Sequence, residues 1–190
     1  AIAVGRRLGL AFPVLAEALA AFRGAKRRFE VLGEARGVLV VDDYAHHPTE
    51  VRATLAAARQ LGRRVVAVFQ PHRYTRTQFL GRELAESFGD ADCVVLTDIY
   101  AALERPIPGV TIDRVYEVAR AAAGDKVILV RDKDAIPGFL LGLTRPGDLV
   151  ITLGAGDVRR VGEQFLAMLQ ADPALVAHLT PPIPNPGGSG

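Results

Sequence analysis

The chain has 190 residues, 49% of them hydrophobic and 23% charged, with 23 Lys+Arg against 21 Asp+Glu for a net charge of +2. That is the composition of a globular protein with a buried core, so global disorder and fibrous architectures are excluded. A single cysteine excludes an internal disulfide, and a surplus of two charges is too small for the broad positive field of a nonspecific nucleic-acid binder.

In chain order, Arg6-Arg7 followed by Leu8 to Ala16 and then Ala18-Leu19-Ala20 imitates a secretory signal. Glu17 breaks the imitation, and Val14, Leu15, Ala18, Leu19 and Phe22 fit the apolar stripe of a helix, so helical structure is expected here. From residue 27 short apolar runs alternate with amphipathic stretches. Arg27–Gly33 and Gly37–Asp42 read as strands, Pro48–Leu61 as a helix, Arg64–Phe69 as a strand and Arg76–Phe88 as a helix. Cys93–Thr97 reads as a strand with Cys93 as an inert core thiol, Ile112–Ala123 as a helix, and Lys126–Val130 as a strand. Asp134–Leu143 reads as a short helix, Asp148–Leu153 as a strand, and Asp157–Leu169 as a helix capped by Asp157.

The helices rest on spacing, as at Val51, Leu55, Ala58 and Leu61, and the strands on unbroken runs such as Val65-Val66-Ala67-Val68-Phe69. Such runs require burial on both faces, and helices between them act as crossovers. The fold class is therefore α/β, a mainly parallel sheet with helices on both sides. No stretch reaches the length of a membrane span, and Thr180 to Gly190, rich in proline and glycine, is expected to be disordered.

In parallel sheets ligands bind beyond the carboxyl ends of the strands. That rule selects the loops Asp42–Pro48, Gln70–Thr77 and Thr97–Ile107, with Gly154-Ala155-Gly156 as a fourth. The first carries Asp42, Asp43, Tyr44, His46 and His47, more chemistry than the capping of the next helix by Pro48 and Glu50 requires. A polar loop satisfying its own backbone and a functional site both remain open. The second places His72, Arg73 and Arg76 at a helix start, where cations oppose the dipole, which points to a compensating anion; solvated surface arginines are the plain alternative.

Gly154-Ala155-Gly156-Asp157 falls short of a dinucleotide fingerprint because position 159 is arginine, and with no Gly-Lys pair a P-loop is excluded. A metal-dependent hydrolase built on Asp42, Asp43, His46, His47 and His72 is the chief rival, and a stand-alone nucleotide-binding module a further one. Adjacent histidines diverge in direction, which counts against shared ligation, and no metal-ligand spacing supplies an alternative.

Arg27-Arg28-Phe29-Glu30, Val41-Asp42-Asp43-Tyr44-Ala45-His46-His47-Pro48-Thr49-Glu50-Val51 and Phe69-Gln70-Pro71-His72-Arg73-Tyr74-Thr75-Arg76-Thr77 closely resemble the C-terminal domain of the Mur ligase family. Ala91-Asp92, Asp98-Ile99-Tyr100 and Gly154-Ala155-Gly156-Asp157 extend the resemblance, and the His-Arg-Tyr-Thr-Arg-Thr segment points to members that add L-alanine to UDP-N-acetylmuramate. The resemblance implies a Rossmann-like three-layer domain at residues 26–172, preceded at 1–25 by the helical end of a central ATPase domain and followed by an extension at 173–190. It implies a cytoplasmic, ATP- and Mg²⁺-dependent ligase of peptidoglycan synthesis, with both cofactors held mainly by the central domain and no membrane or nucleic-acid partner. ATP would phosphorylate the muramate carboxylate, and the amine of L-alanine would attack the acyl phosphate. By the same resemblance Arg28 faces the ATP phosphates, Asp43 the ribose hydroxyls with Tyr44 beside it, and His46, His72, Arg73 and Arg76 the alanine and the transferring phosphoryl group. No residue is assigned to a metal, and the chain alone is expected to be inactive.

Overall fold

Val65 to Phe69 are all buried, with Val65, Ala67 and Phe69 in one apolar cluster and Val66 and Val68 in another. This strand thus buries both faces, as its unbroken apolar run demands. The computed structural model describes residues 1–22 and 24–171. The expected disordered end and the 173–190 extension lie outside the described residues.

Around that strand, β3 (Arg64–Phe69), stand β1 (Glu30–Ala35), β2 (Val38–Asp43), β4 (Cys93–Leu96), β5 (Val127–Leu129) and β6 (Asp148–Leu153). They form one sheet in the order β1-β2-β6-β3-β4-β5, parallel throughout except for β1, which runs antiparallel to β2. Helices α3 (Pro48–Arg59), α4 (Tyr74–Ala85) and α5 (Ile112–Ala123) pack on one face through Val51, Leu55, Leu84 and Val115. On the other face, α6 (Ile136–Leu143) and α7 (Arg159–Gln170) pack through Ile136, Leu140, Val161 and Phe165. The result is the expected three-layer α/β domain.

Ahead of it, α1 (Ile2–Arg7) and α2 (Phe12–Ala21) confirm helical structure in the signal-like segment. Gly5 lets them meet, since a Cβ there would lie 2.3 Å from a Leu15 methyl. Among the described residues no helix is long and apolar enough to cross a membrane.

Several boundaries differ from the sequence reading, each for a local reason. β1 starts at Glu30 rather than Arg27 because Arg27 and Phe29 have φ of +57° and +47°, outside strand geometry. Helix α4 begins at Tyr74, two residues early, because Arg73 takes the N-cap position. The expected cap of α7 is corrected: Asp157 bonds Lys133 instead, and Val158 precedes the helix without a side-chain cap. Lys133–Ala135 is a 3₁₀ turn leading into α6, whose Pro137 sits in the first turn, where a missing N–H leaves nothing unpaired.

The connections create a crevice. β2 and β3 send their chains to α3 and α4 on one face, while β6, hydrogen-bonded between them, sends its chain to α7 on the other. Asp43, Leu153 and Phe69 are level in the register, so three loops leave the sheet at one height, two diverging from the third.

β1 is tied to α7 by charge. Arg159 grips both oxygens of Glu30 at 2.6 and 3.2 Å, and the Arg27 N–H donates to the same carboxylate at 2.6 Å. The Arg159 hydrogen bond, helped by that N–H, holds the Glu30 carboxyl at about 2, below its ordinary 4.5. A lowered folded-state pKa stabilises the fold above about pH 4.5, and that contribution is lost as pH falls toward 2. The urea midpoint of the wild-type chain should therefore fall more steeply over that range than that of Glu30→Gln. Parallel curves would show that the pair adds no stability.

Candidate functional site

The crevice is organised around Asp42, which is wholly buried at the end of β2. Its carboxylate accepts from the Thr152 hydroxyl at 2.7 Å, its register neighbour on β6, and from Arg27 Nε at 2.9 Å, with Arg159 at 3.5 Å. Arg27 extends further. Its remaining nitrogens donate to the carbonyls of Gly154 at 2.6 Å and Gly156 at 3.1 Å, and its guanidinium lies 5.0 Å from the centre of the Tyr44 ring. One side chain thus joins the loop after β2 to the loop after β6. The two glycines let the β6 loop pass close to the loops after β3 and β4: a Cβ on Gly154 would stand 2.9 Å from the Gln70 carbonyl, and one on Gly156 2.6 Å from the Tyr100 ring.

Asp43 is nearly as buried, with Oδ2 accepting from the Phe29 N–H at 2.7 Å and Oδ1 from the Ala45 N–H at 2.8 Å. Each oxygen keeps a lone pair for a further donor. Arg28 is the freer cation, half exposed, 3.9 Å from Glu50 and 5.8 Å from the Tyr44 ring centre.

The paired histidines divide their roles. His47 is the N-cap of α3, its Nδ1 accepting from Thr49 N–H, and Glu50 completes a capping box. His46 turns the other way, into a cavity of about 670 Å³ lined also by Tyr44, His72, Arg73, Thr75, Arg76 and Ala155. Its Nδ1 lies 2.9 Å from the Tyr44 carbonyl and 3.4 Å from Glu50. Burial pushes the Glu50 carboxyl up, but the His46 and His47 backbone N–H groups together with nearby charge such as Arg28 hold it below its ordinary range.

Across the cavity His72 stacks on Tyr100 at 5.5 Å and lies 5.8 Å from His46, with Arg76 donating to its Nδ1 at 3.3 Å. Burial first, then the charges of Arg76 and the other neighbours, push His72 down to about 4, so it is neutral at physiological pH. Arg73 holds φ +75° and ψ 138°, a conformation that disfavours a side chain by about 1–3 kcal/mol. It is kept there by its N–H to the Tyr100 carbonyl at 2.8 Å and by Thr77, whose N–H and hydroxyl both donate to its carbonyl.

The compensating anion expected at the start of α4 is in part internal. Glu104, from the Thr97–Ile107 loop, accepts from the Thr75 N–H at 3.0 Å and hydroxyl at 2.6 Å and stands 3.8 Å from Arg73. Arg76 has no carboxylate partner among the described residues, and its guanidinium rests on His72. Gln70 Oε1 and Asp157 Oδ1, on the loops after β3 and β6, are both buried, and the Gln70 amide turned about would donate to Asp157.

All seven residues singled out in the sequence, Arg28, Asp43, Tyr44, His46, His72, Arg73 and Arg76, lie on or beside the loops that meet at this crevice, and five line the cavity. Asp42 and His47, part of the rival metal set, serve the fold instead. Among the described residues no three His, Cys, Asp or Glu side chains converge as metal ligands, which leaves the hydrolase alternative without a donor set. Glu104 and the roles of Tyr100 and Arg27 went unread. Glu104 lies within a loop already selected as ligand-facing, but nothing local pairs it with Thr75, 29 residues away.

The sequence matches the family described as "Mur ligase, glutamate ligase domain" over residues 27–156. It is 50% identical over 171 residues to UDP-N-acetylmuramate–L-alanine ligase of Pelotomaculum thermopropionicum, covering 90% of this chain and 37% of that protein. Among solved structures, the UDP-N-acetylmuramate-alanine ligase of Thermotoga maritima superimposes with a TM-score of 0.70 at 27% identity, covering 89% of this chain and 36% of that one. A MurF ligase of Thermotoga maritima in complex with ADP gives 0.64 at 25% identity, with 89% and 36% covered. The chain thus spans a little over a third of the length of these relatives.

Loop convergence is testable at Gly156, where an added Cβ would collide with the Tyr100 ring at 2.6 Å and Gln70 Oε1 at 2.7 Å. Gly156→Ala should destabilise the chain by about 1–3 kcal/mol in urea denaturation. Gly89→Ala, where a Cβ meets nothing within 4 Å, should be nearly neutral. Equal midpoints for the two variants would show that the loops are not in contact.

Proposed function

The chain belongs to the Mur ligase family, and from that premise we propose that it is the C-terminal domain of an ATP-dependent ligase that joins L-alanine to UDP-N-acetylmuramate in peptidoglycan synthesis. Residues 1–25 are then the helical end of a central ATPase domain, and 26–172 close over its nucleotide. What carries the reading is the pairing of half the sequence identity with a named relative and a cavity whose basic wall, Arg73 and Arg76, starts a helix.

In this reading ATP supplies the phosphoryl group that activates the muramate carboxylate, and the amine of L-alanine attacks the resulting acyl phosphate with release of phosphate. Arg76, free of any carboxylate partner among the described residues, and Arg73 present guanidinium forks to the amino-acid carboxylate or the phosphoryl oxygens. Neutral His72 adds a hydrogen-bond donor without adding charge. Arg28, half exposed, faces the ATP phosphates, while Asp43 accepts from the ribose hydroxyls through the lone pairs that Phe29 and Ala45 leave, with Tyr44 beside it.

The Mg²⁺ that accompanies ATP finds no donor set among the described residues, and we place it on the remainder of the ligase. A reaction on ATP and a UDP-sugar belongs in the cytoplasm. With no P-loop lysine, the isolated chain should neither hydrolyse ATP nor form the amide.

In the complete ligase, Arg73→Ala or Arg76→Ala removes a charge-assisted hydrogen bond worth about 1.5–3 kcal/mol, roughly ten- to a hundredfold in kcat/KM for L-alanine. Lys should rescue only in part, since an ammonium keeps the charge but not the planar fork. Unchanged kcat/KM in both Ala variants would make this wall ordinary surface and overturn the reading.

A further inference from the structure

His46 and His72 face one cavity, yet their hydrogen bonds fix opposite tautomers. The partner of His46 Nδ1, at 2.9 Å, is the carbonyl of Tyr44, which can only accept, so Nδ1 carries the proton and Nε2 the lone pair. The partner of His72 Nδ1, at 3.3 Å, is the Arg76 guanidinium, which can only donate, so there the lone pair is on Nδ1 and the proton on Nε2. Of the two imidazoles lining the cavity, only His46 offers it a basic nitrogen.

The charges around the two rings favour the same assignment. His46 is faced by the Tyr44 ring from its own loop, by Glu50 of α3 at 3.4 Å from Nδ1 with Arg28 behind it, and by His72 across the cavity. Glu50 thus places a carboxylate beside the His46 ring. His72 is backed by Arg76 and has Arg73 nearby, which oppose a positive ring.

We infer that His46 is the proton acceptor of the amide-forming step, taking a proton on Nε2 from the ammonium of the incoming amino acid, while His72 acts only as a neutral donor. The inference rests on the ligase reading and gives that site its base. The ammonium yields one proton to His46 Nε2, and the freed nitrogen lone pair forms the C–N bond to the acyl carbon. The C–O bond to the phosphoryl oxygen breaks with its electron pair passing to the departing phosphate, which takes the second nitrogen proton. Acyl phosphate, ammonium and neutral imidazole become amide, hydrogen phosphate and imidazolium, with charge conserved. Glu50, whose carboxylate stands beside the His46 ring without meeting the substrate, is a positioning residue.

Two measurements decide the point. Long-range ¹H–¹⁵N correlation on this chain near neutral pH should show His46 protonated on Nδ1 and His72 on Nε2. A neutral His46 ring that carries its proton on Nε2 rather than Nδ1 would overturn the inference whatever the fate of the ligase reading. In the complete ligase, His46→Gln should slow alanine ligation by about a hundredfold or more at neutral pH. Hydroxylamine, which is largely uncharged there and needs no base, should be affected far less as the alternative nucleophile. The slowed alanine rate should also climb with pH as free amine accumulates. Equal losses with both nucleophiles, or no loss with alanine, would sink the assignment. A wild-type ligase that makes hydroxamate but no alanine amide would instead refute the proposed substrate and leave the tautomers standing.

Discussion

A carboxylate sealed from water must be neutralised, and Asp42 meets that demand with Arg27. Such a pair is a poor source of net stability, because desolvation offsets most of the attraction, but its geometry is exacting. Arg27 comes from the segment that leads into β1, Asp42 from the end of β2, and the carbonyls of Gly154 and Gly156 that complete the guanidinium's partners come from the end of β6. Three stretches distant in sequence are therefore held at one point. The unusual φ of Arg27 and Phe29 is the backbone consequence, bending the lead-in so that Arg27 O reaches Tyr44 N–H and Phe29 N–H reaches Asp43.

From that anchor the electrostatics of the cavity follow. Tyr44 and Ala155 are fixed as one wall, and the start of α4 supplies the other, with Arg73 strained in place by Tyr100 and Thr77. A helix start crowded with arginines is unfavourable by itself, and Glu104 relieves part of it from a neighbouring loop. The relief stops at Arg73 and Thr75. Arg76 is left to an imidazole, and the cost of protonating that imidazole beside a guanidinium keeps His72 neutral. The cavity thus retains positive charge next to a neutral donor and a basic nitrogen, which suits an anionic amino-acid carboxylate with an amine to be deprotonated.

The sheet was legible wherever burial alone sets the pattern. Arg64–Phe69, Ile112–Ala123 and Asp148–Leu153 have the same limits in sequence and structure because their apolar residues have no other place to go. Three of the misplaced ends share one cause, which is tertiary contact made by a polar residue. Arg27 leaves the strand to neutralise Asp42, Asp157 leaves the helix cap for Lys133, and Arg73 is turned by Tyr100. The site was legible as a set of loops, since strand ends in a parallel sheet point to them, and the resemblance supplied roles within them. Partners were not legible: the division between His46 and His47 and the capping of α4 by Glu104 depend on distances that sequence spacing does not encode.

The central claim is that one guanidinium organises the crevice, and amide hydrogen exchange in Arg27→Ala tests it most directly. The N–H groups of Tyr44, Gln70 and Gly154, bonded to Arg27 O, Leu153 O and Asp43 O, report on the three loops where they leave the sheet. Those of Val94 and Val95 on β4 report on the sheet itself. The account predicts that protection at Tyr44, Gln70 and Gly154 collapses while β4 keeps its own, a local opening of the crevice within an intact sheet. Protection at the three loop amides equal to that of the wild type, or lost evenly across β4 as well, would contradict it.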